Sequence, residues 1–337
     1  MRRTTMKRQL ITALFCFVIG FFVTANAVAE NQKYKLTITG ASPGGLWSLL
    51  GAGIDSAVRA GYPGSFVTYQ TSGGGLANVG IVSKGGAELG IVHNVELKAA
   101  VQGSAPFKSP VTNLRAIAYL YNWAPMQLIM NKKFANKYGI NNVADLVREK
   151  PPVRFAVNTR GNMVQEVNKE ILSAYGVSYD DVKSWGGQIL YAASKEQGDF
   201  LGDGRIDMFG NGVFAPHKSI IKASRVVDVI MLELSVEASQ KVANKTGADP
   251  YIVKQESYAW LNKDIRTVAL GAELVVNDSM SEQIAYDITK TLVENIDKMR
   301  GVHKSMKSLT PEMMASQNVI QYHPGAIRYY KEVGLIK

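Results

Sequence analysis

One cysteine occurs among the 337 residues of the sequence, and this scarcity excludes several kinds of site. The cysteine is Cys16, inside the uncharged run at residues 10–23, so the rest of the chain has no disulfide and no thiol that could bind metal. The four histidines lack paired metal-ligand spacing, and no Gly-x-x-x-x-Gly-Lys-Ser/Thr loop is present to hold a nucleotide phosphate. The sequence therefore predicts no metal and no cofactor.

The charge is moderate and scattered along the chain. Lysine and arginine total 38 against 28 aspartates and glutamates, a net charge of +10, and no basic stripe alternates with aromatic residues. A nucleic-acid partner is therefore not expected. A mildly positive molecule suits the capture of small anions, although scattered basic residues are equally typical of an ordinary surface.

The N-terminus has the pattern of a secretory signal peptide. Basic residues precede the uncharged run, and Ala27-Val28-Ala29 supplies the small residues of a cleavage site. This pattern predicts a signal peptide at residues 1–29 and a mature protein in the periplasm. A retained membrane anchor is the alternative, but the strongly apolar part is short for a bilayer.

Two glycine-rich turns are the most informative features of the remaining chain. Residues 40–45 follow a predicted strand at 34–39, and Ser72-Gly73-Gly74-Gly75 follows a predicted strand at 66–71. Glycine lets the backbone approach a ligand closely, and the helix after each turn offers unpaired N–H groups. On neighbouring parallel strands, the two turns would together form a cradle for a small anion.

Strands and helices alternate along the chain, which favours parallel sheets covered by helices. Apolar strands are predicted at 115–121 and 126–130, separated by Asn122-Trp123-Ala124-Pro125, and a second, similar unit begins with a strand at 154–157. The sequence predicts an α/β fold of two lobes, each a mostly parallel sheet flanked by helices, with a ligand cleft between them.

The order of these units also predicts where the chain crosses between the lobes. We assign residues 30–123 and 237–337 to the first lobe and 124–236 to the second. A strand at 206–209 is expected to end at Gly210-Asn211-Gly212, which would bring the Asn211 amide to the cleft. Ser279 and Glu282 have the spacing of a capping box before a late helix.

Several of these segments resemble the TAXI-type solute receptors of TRAP transporters. The segment from His323 to Glu332 resembles the closing signature of that family, and segments 71–75, 89–92, 114–118 and 203–207 match further landmarks in order. The resemblance implies a periplasmic, non-catalytic binding protein of the type II kind that closes on a small organic anion, often an amino acid or dicarboxylate. It also implies delivery of that solute to the subunits of a TRAP-type membrane permease.

The sequence departs from that family's pattern at two places. Gly161-Asn162-Met163-Val164 stands where these receptors usually carry a turn with two hydroxyl groups, and Trp47-Ser48 replaces a common tyrosine pair. Arg160 and Asn162 are then the nearest partners for a carboxylate in the second lobe, because arginine offers two parallel hydrogen bonds to such a group.

Gly40-Ala41-Ser42-Pro43-Gly44 matches the G-x-S-x-G pattern of hydrolases, but the match does not predict an esterase. The oxyanion hole needs the N–H of the residue after the serine, and Pro43 has none. Ser42 is instead a candidate hydroxyl donor to a ligand. His93, at the end of a predicted strand, either contacts the ligand or is packed in the core.

The leading interpretation is thus a receptor for a small organic anion. The alternatives are a ligand-sensing module for a membrane partner and a periplasmic enzyme that uses the same cleft with His93 as its base. The predicted ligand-binding residues are Ser42, Gly44, Gly45, Trp47, Ser72, Gly73, Gly74, His93, Asn94, Arg160, Asn162 and Asn211.

Overall fold

The computed structural model describes residues 32–337 apart from positions 42, 44, 161, 317 and 318. The predicted signal peptide at 1–29 and two predicted site residues, Ser42 and Gly44, lie outside the described residues. Within the described part of the chain, every helix is too short or too polar to cross a bilayer.

Among the described residues, ten strands join in one mixed sheet with the order β2-β1-β3-β10-β4-β7-β5-β6, and β8 and β9 pair with β4 and β10 respectively. The strands are β1 (Lys35–Thr39), β2 (Phe66–Gln70), β3 (Leu89–His93), β4 (Leu114–Asn131), β5 (Arg154–Val157), β6 (Gln188–Tyr191), β7 (Met208–Gly212), β8 (Val229–Met231), β9 (Asp249–Val253) and β10 (Ile265–Asn277).

Helices flank this sheet. They are α1 (Leu46–Gly61), α2 (Gly75–Ser83), α3 (Asn94–Gln102), α4 (Lys132–Tyr138), α5 (Val143–Glu149), α6 (Met163–Ser173), α7 (Tyr179–Ser184), α8 (Ser194–Gly202), α9 (Lys218–Ser224), α10 (Val236–Thr246), α11 (Glu282–Glu294), α12 (Ile296–Arg300), α13 (Pro311–Met314) and α14 (Pro324–Glu332). The predicted two-lobe α/β architecture is confirmed.

Two long antiparallel strands, β4 and β10, run from one lobe to the other. The first lobe contains the parallel set β2-β1-β3, and the second contains the parallel set β7-β5-β6. β4 pairs with β10 as far as Pro125 and with β7 from Met126 onward. The prediction of two separate strands here is wrong. Proline has no N–H for a sheet ladder, and this one stands where β4 changes its partner.

The chain packs against the second lobe once more before β10 returns to the first lobe. Val253, Tyr258 and Ile265 lie in one buried cluster with Phe209 and Ile220, which belong to the second lobe's strand β7 and helix α9. β10 then continues into the first lobe, where it pairs with β3. The assignment of residues 237–337 to the first lobe stays a prediction.

The N-cap of the late helix α11 lies two residues after the predicted cap. Ser281 is its N-cap, and the Ser281 hydroxyl accepts the Ile284 N–H at 3.2 Å. The Ser279 hydroxyl instead donates to Asn277 Oδ1 at 2.8 Å. The predicted Ser279–Glu282 capping box is therefore wrong, because Ser279 closes the turn after β10 and leaves the cap to Ser281.

Candidate functional site

A cavity of about 480 Å³ lies between the lobes, at the carboxyl ends of parallel strands from both. We call this cavity the cradle. The structure places seven of the predicted residues in its lining: Gly45, Trp47, Ser72, Gly73, Gly74, His93 and Asn162. The position agrees with the general rule that open α/β sheets bind ligands beyond the carboxyl ends of their strands.

Five helices begin at the cradle. Their N-cap residues, each of which lines the cavity, are Gly45 for α1, Gly74 for α2, His93 for α3, Asn162 for α6 and Ala193 for α8. Three of these caps, the two glycines and the alanine, have no side-chain oxygen, so they leave the N–H groups of the first helical turn for another acceptor. Each helix end also carries a positive partial charge.

Tyr69 shapes the first glycine-rich turn. The Tyr69 hydroxyl accepts the Ala41 N–H at 2.7 Å and donates to the Ala41 carbonyl at 3.0 Å. A Cβ on Gly40 would lie only 2.1 Å from that hydroxyl, so the tyrosine can reach the turn because residue 40 is glycine. This clamp fixes the backbone immediately before α1.

Asn78 ties the strand ends together beneath the second turn. The fully buried Asn78 amide donates to the Gly40 carbonyl at 3.0 Å and to the Ile91 carbonyl at 2.7 Å, and it accepts the Thr39 hydroxyl at 2.8 Å. The Ser72 hydroxyl bonds to the Gly40 carbonyl and accepts the Gly74 N–H at 3.0 Å. Ser72 therefore holds the turn in place, and the turn presents its backbone to the cavity.

The backbone of the second turn requires glycine at one position. Gly74 has φ 104° and ψ −166°, a region that residues with a Cβ rarely enter. At Gly73 a Cβ would make only an ordinary contact, 3.6 Å from the Ala77 Cβ. Gly73 lines the cavity and has room for a Cβ, whereas Gly74 sets the conformation of the turn.

Glu96 is the acidic group of the cradle, and the sequence analysis did not identify it. Its side chain is 5% exposed and reaches back from α3 to accept the His93 backbone N–H at 3.0 Å, with the His93 ring Nδ1 3.3 Å away. A Cβ on Gly75 would lie 1.4 Å from Glu96 Oε2, so the carboxylate rests against the start of α2. Only the capping-box spacing of residues 93 and 96 hinted at this arrangement.

Trp47 and His93 form one side of the cavity. Their rings are 4.6 Å apart at the centroids and tilted by 47°. The Trp47 Nε1–H donates to the Tyr121 hydroxyl at 3.0 Å, which fixes the orientation of the buried indole. The His93 side chain is 20% exposed and lines the cradle, so it is not enclosed in the core.

The second lobe contributes Asn162 and Asn158. Asn162 Oδ1 accepts the Val164 N–H at 2.8 Å as the cap of α6, so its NH₂ group is the part that a ligand would meet. Asn158 lines the cavity too, and its amide donates to Asn211 Oδ1 at 3.2 Å. Asn211 itself lies inside β7 and is buried, and its amide nitrogen has no hydrogen-bond partner among the residues that the structure describes.

Two other predicted residues lie away from the lining. The Asn94 amide donates to the Gly247 carbonyl at 2.6 Å and accepts the Gly271 N–H at 3.0 Å, so it joins α3 to neighbouring backbone. Arg160 is exposed, with its guanidinium carbon 3.7 Å from the centroid of the Tyr191 ring. A role for Arg160 in gripping a carboxylate would require the side chain to leave this stacking position.

Solved structures share this fold at low sequence identity. MatC from Rhodopseudomonas palustris with bound malate matches with a TM-score of 0.53 and 11% identity over 89% of this chain and 97% of that one. The periplasmic binding protein BugD matches with a TM-score of 0.53 and 14% identity over 90% and 99%. A protein from Bordetella bronchiseptica RB50 matches with a TM-score of 0.52 and 15% identity over 90% and 98%.

The sequence itself matches one family over almost all of its described length. The profile of the NMT1-like family aligns with residues 38–334, a span that contains both glycine-rich turns, both crossing strands and every helix that begins at the cradle. The chain therefore belongs to the NMT1-like family.

Proposed function

We propose that this protein is a periplasmic receptor that captures a small organic anion, an amino acid or carboxylate, and delivers it to a TRAP-type permease. The observation that carries the proposal is the convergence of five helix N-termini on one cavity between the lobes. Helix N-termini bind anions through backbone N–H groups and their positive partial charge, so a solute carboxylate is the expected occupant.

The charges around the cavity refine the proposal. Among the described lining residues there is no lysine or arginine, and Glu96 is the one carboxylate. The cradle would therefore hold an anion by neutral donors, and the buried Glu96 would face any positive group of the same solute. This arrangement accommodates an amino acid as well as a simple carboxylate.

Binding would be coupled to closure of the lobes. The lining combines residues of the first lobe, such as Gly73 and His93, with residues of the second, such as Asn158 and Asn162. A solute that contacts both sets stabilises the closed arrangement over the open one, which is how a hinge-type receptor signals that it is loaded.

The assignments to the TAXI type, to a TRAP permease and to the periplasm are supported by the motif resemblance and the signal-peptide pattern. MatC, which has malate bound, and BugD, a periplasmic binding protein, share the fold and are consistent with such a role. A non-catalytic role fits a cavity built from backbone N–H groups.

The permease assignment is tested by uptake of labelled solute in cells that express a TRAP-type permease with and without this protein.

The anion cradle is tested by calorimetry on Gly73→Val with a panel of carboxylates and amino acids. A valine side chain at this open position projects into the cavity, so we expect binding to be lost while thermal unfolding is unchanged. Gly80→Val is the matched control, because Gly80 lies in α2 with nothing within 4 Å of its would-be Cβ. Equal affinities for wild type and Gly73→Val would remove the second turn from the site.

A further inference from the structure

A second cavity, of about 530 Å³, adjoins the cradle on the other side of His93. Gly45, Leu46 and His93 line both cavities, so the two spaces are adjacent and share these residues as a wall at the start of α1. We call the second cavity the aromatic chamber. Its volume falls within the range of about 300–1,000 Å³ that holds small organic ligands.

The chamber has an aromatic wall that continues from the cradle. Tyr121, oriented by the Trp47 indole, packs edge-on against Phe214 with centroids 5.1 Å apart. The Phe214 ring also lies near the His303 ring, with centroids 5.9 Å apart. Such rings present faces and edges that pair well with another aromatic ring.

Apart from His217, the rest of the lining consists of apolar residues, glycines and two lysines. Leu49 of the first lobe and Ile221 of the second both line it, and the exposed Lys218 and Lys304 belong to the lining too. No aspartate or glutamate is found among the described residues that line it. The chamber thus combines apolar contact with a positive edge, and both lobes contribute to it.

We infer that the solute is an aromatic carboxylate, with its carboxylate in the cradle and its ring in the aromatic chamber. This inference rests on the proposed function, since it needs an anion in the cradle, and it adds the chemical class of the solute. The ring would lie against Tyr121 and Phe214, and polar substituents on the far side of the ring would meet Lys218 and Lys304. Closure of the lobes would then bury the ring between Leu49 and Ile221.

The inference is tested by calorimetry with two pairs of ligands, phenylacetate against acetate and 3-phenylpropionate against propionate. We expect each aromatic acid to bind at least tenfold more tightly than its partner. Succinate and glutamate, measured beside them, report whether the cradle binds carboxylates that have no ring.

A filling variant locates the ring. Leu49 is 37% exposed, so Leu49→Trp can fill the chamber without disturbing the core, and Val333→Trp at another exposed position, 44% exposed, is the control. We expect Leu49→Trp to weaken phenylpropionate binding at least tenfold and to change propionate, succinate or glutamate binding less than twofold. Aromatic acids that bind no better than their partners, or a Leu49→Trp protein that binds them normally, would overturn the inference alone. Failure of every carboxylate to bind would overturn the proposed function as well.

Discussion

Glu96 shows most clearly how a single residue decides what a cavity can hold. In the sequence it is one more acidic residue of a helix, yet in the structure its carboxylate is nearly buried at the start of α2 and beside His93. A negative charge at this place repels a second carboxylate and attracts an ammonium group, with energies that a partly buried site screens only weakly.

Glu96→Gln should therefore change affinities in opposite directions for two classes of solute. We expect calorimetry to show that affinity for succinate rises by about threefold to thirtyfold, because a like charge is removed from the cradle. Affinity for glutamate should fall by about tenfold, because its ammonium group loses a charged partner. The control is Glu149→Gln, which alters an exposed carboxylate that pairs with Arg148. Parallel changes for both solutes would show that Glu96 does not face the ligand.

For Arg160, the sequence and the structure predict different effects of a substitution on ligand affinity. A charged hydrogen bond to the solute predicts that Arg160→Ala weakens binding by about tenfold to a hundredfold. Its stacking on Tyr191, away from the cavity lining, predicts a change of less than about threefold, since exposed charged contacts contribute little. We expect the smaller change, measured against Arg205→Ala, whose guanidinium stacks on Phe200 in the same way at 3.8 Å. A tenfold loss unique to Arg160→Ala would mean that the side chain turns into the cleft on closure.

The cradle's backbone positions could be predicted from the sequence, whereas several of its side-chain roles could not. Glycine runs after strands identified Gly45, Gly73 and Gly74, because glycine marks close backbone approach without any knowledge of the fold. Asn94 and Asn211 were expected at strand ends in the cleft, but the Asn94 side chain accepts the Gly271 N–H of β10 and the Asn211 side chain accepts from the Asn158 amide. Which way a polar side chain points depends on packing between segments far apart in sequence.

At the scale of elements, the second turn depends on the conformation of Gly74. Gly74→Ala should lower the free energy of unfolding by about 1–3 kcal/mol, because a Cβ is strained at φ 104° even though space is available. Chemical denaturation measures this loss. Gly80→Ala, in the middle of α2, should instead stabilise the protein by up to about 1 kcal/mol. A neutral Gly74→Ala would show that the turn can adopt another conformation.

The errors at element boundaries have a common physical origin. Pro125 was expected in a connection between two strands, but β4 runs through it because the proline stands where pairing with β10 gives way to pairing with β7. Ser279 was expected to cap α11, but its hydroxyl donates a hydrogen bond to the Asn277 side chain, and Ser281 caps the helix instead. Local sequence signals identified the existence and type of these elements, and tertiary partners decided their ends.

For the whole molecule, the buried carboxyl of Glu273 in the crossing strand β10 predicts a pH-dependent stability. Burial, together with nearby Asp249, raises the pKa of Glu273 to about 8, and within the described part of the chain neither of its oxygens has a hydrogen-bond partner. Between its ordinary pKa and this raised value, the folded protein keeps a proton that the unfolded chain releases. Stability from this group is therefore full at acid pH and is lost as the pH rises toward 8.

Glu273→Gln should remove this dependence. We expect similar unfolding free energies for wild type and variant near pH 5, and a variant that is more stable by a few kcal/mol above pH 8. Burial lowers the pKa values of His217, His303 and His323, so these groups make the protein more stable as the pH rises. They are present in both proteins, so the difference in unfolding free energy between wild type and variant reports Glu273 alone. A constant difference across the pH range would contradict the assignment.

The two-lobe architecture was the part of the whole molecule that the sequence predicted best. The alternation of strands and helices, together with the order of the family-like segments, was enough for this prediction. These features determine how the layers are arranged and connected. The joining of ten strands into one sheet through β4 and β10 was not foreseen, since it needs pairing between segments about 150 residues apart.

The central claim, that the cleft retains a carboxylate unchanged, is tested most directly by mass spectrometry of retained solutes. The purified protein is incubated with an equimolar mixture of amino acids, aliphatic and aromatic carboxylates and quaternary amines, separated from unbound solute, and denatured. The account predicts stoichiometric recovery of a carboxylate, chemically unaltered, from wild type and not from Gly73→Val. Retention of amines alone, recovery of an altered solute, or equal recovery from both proteins would contradict it.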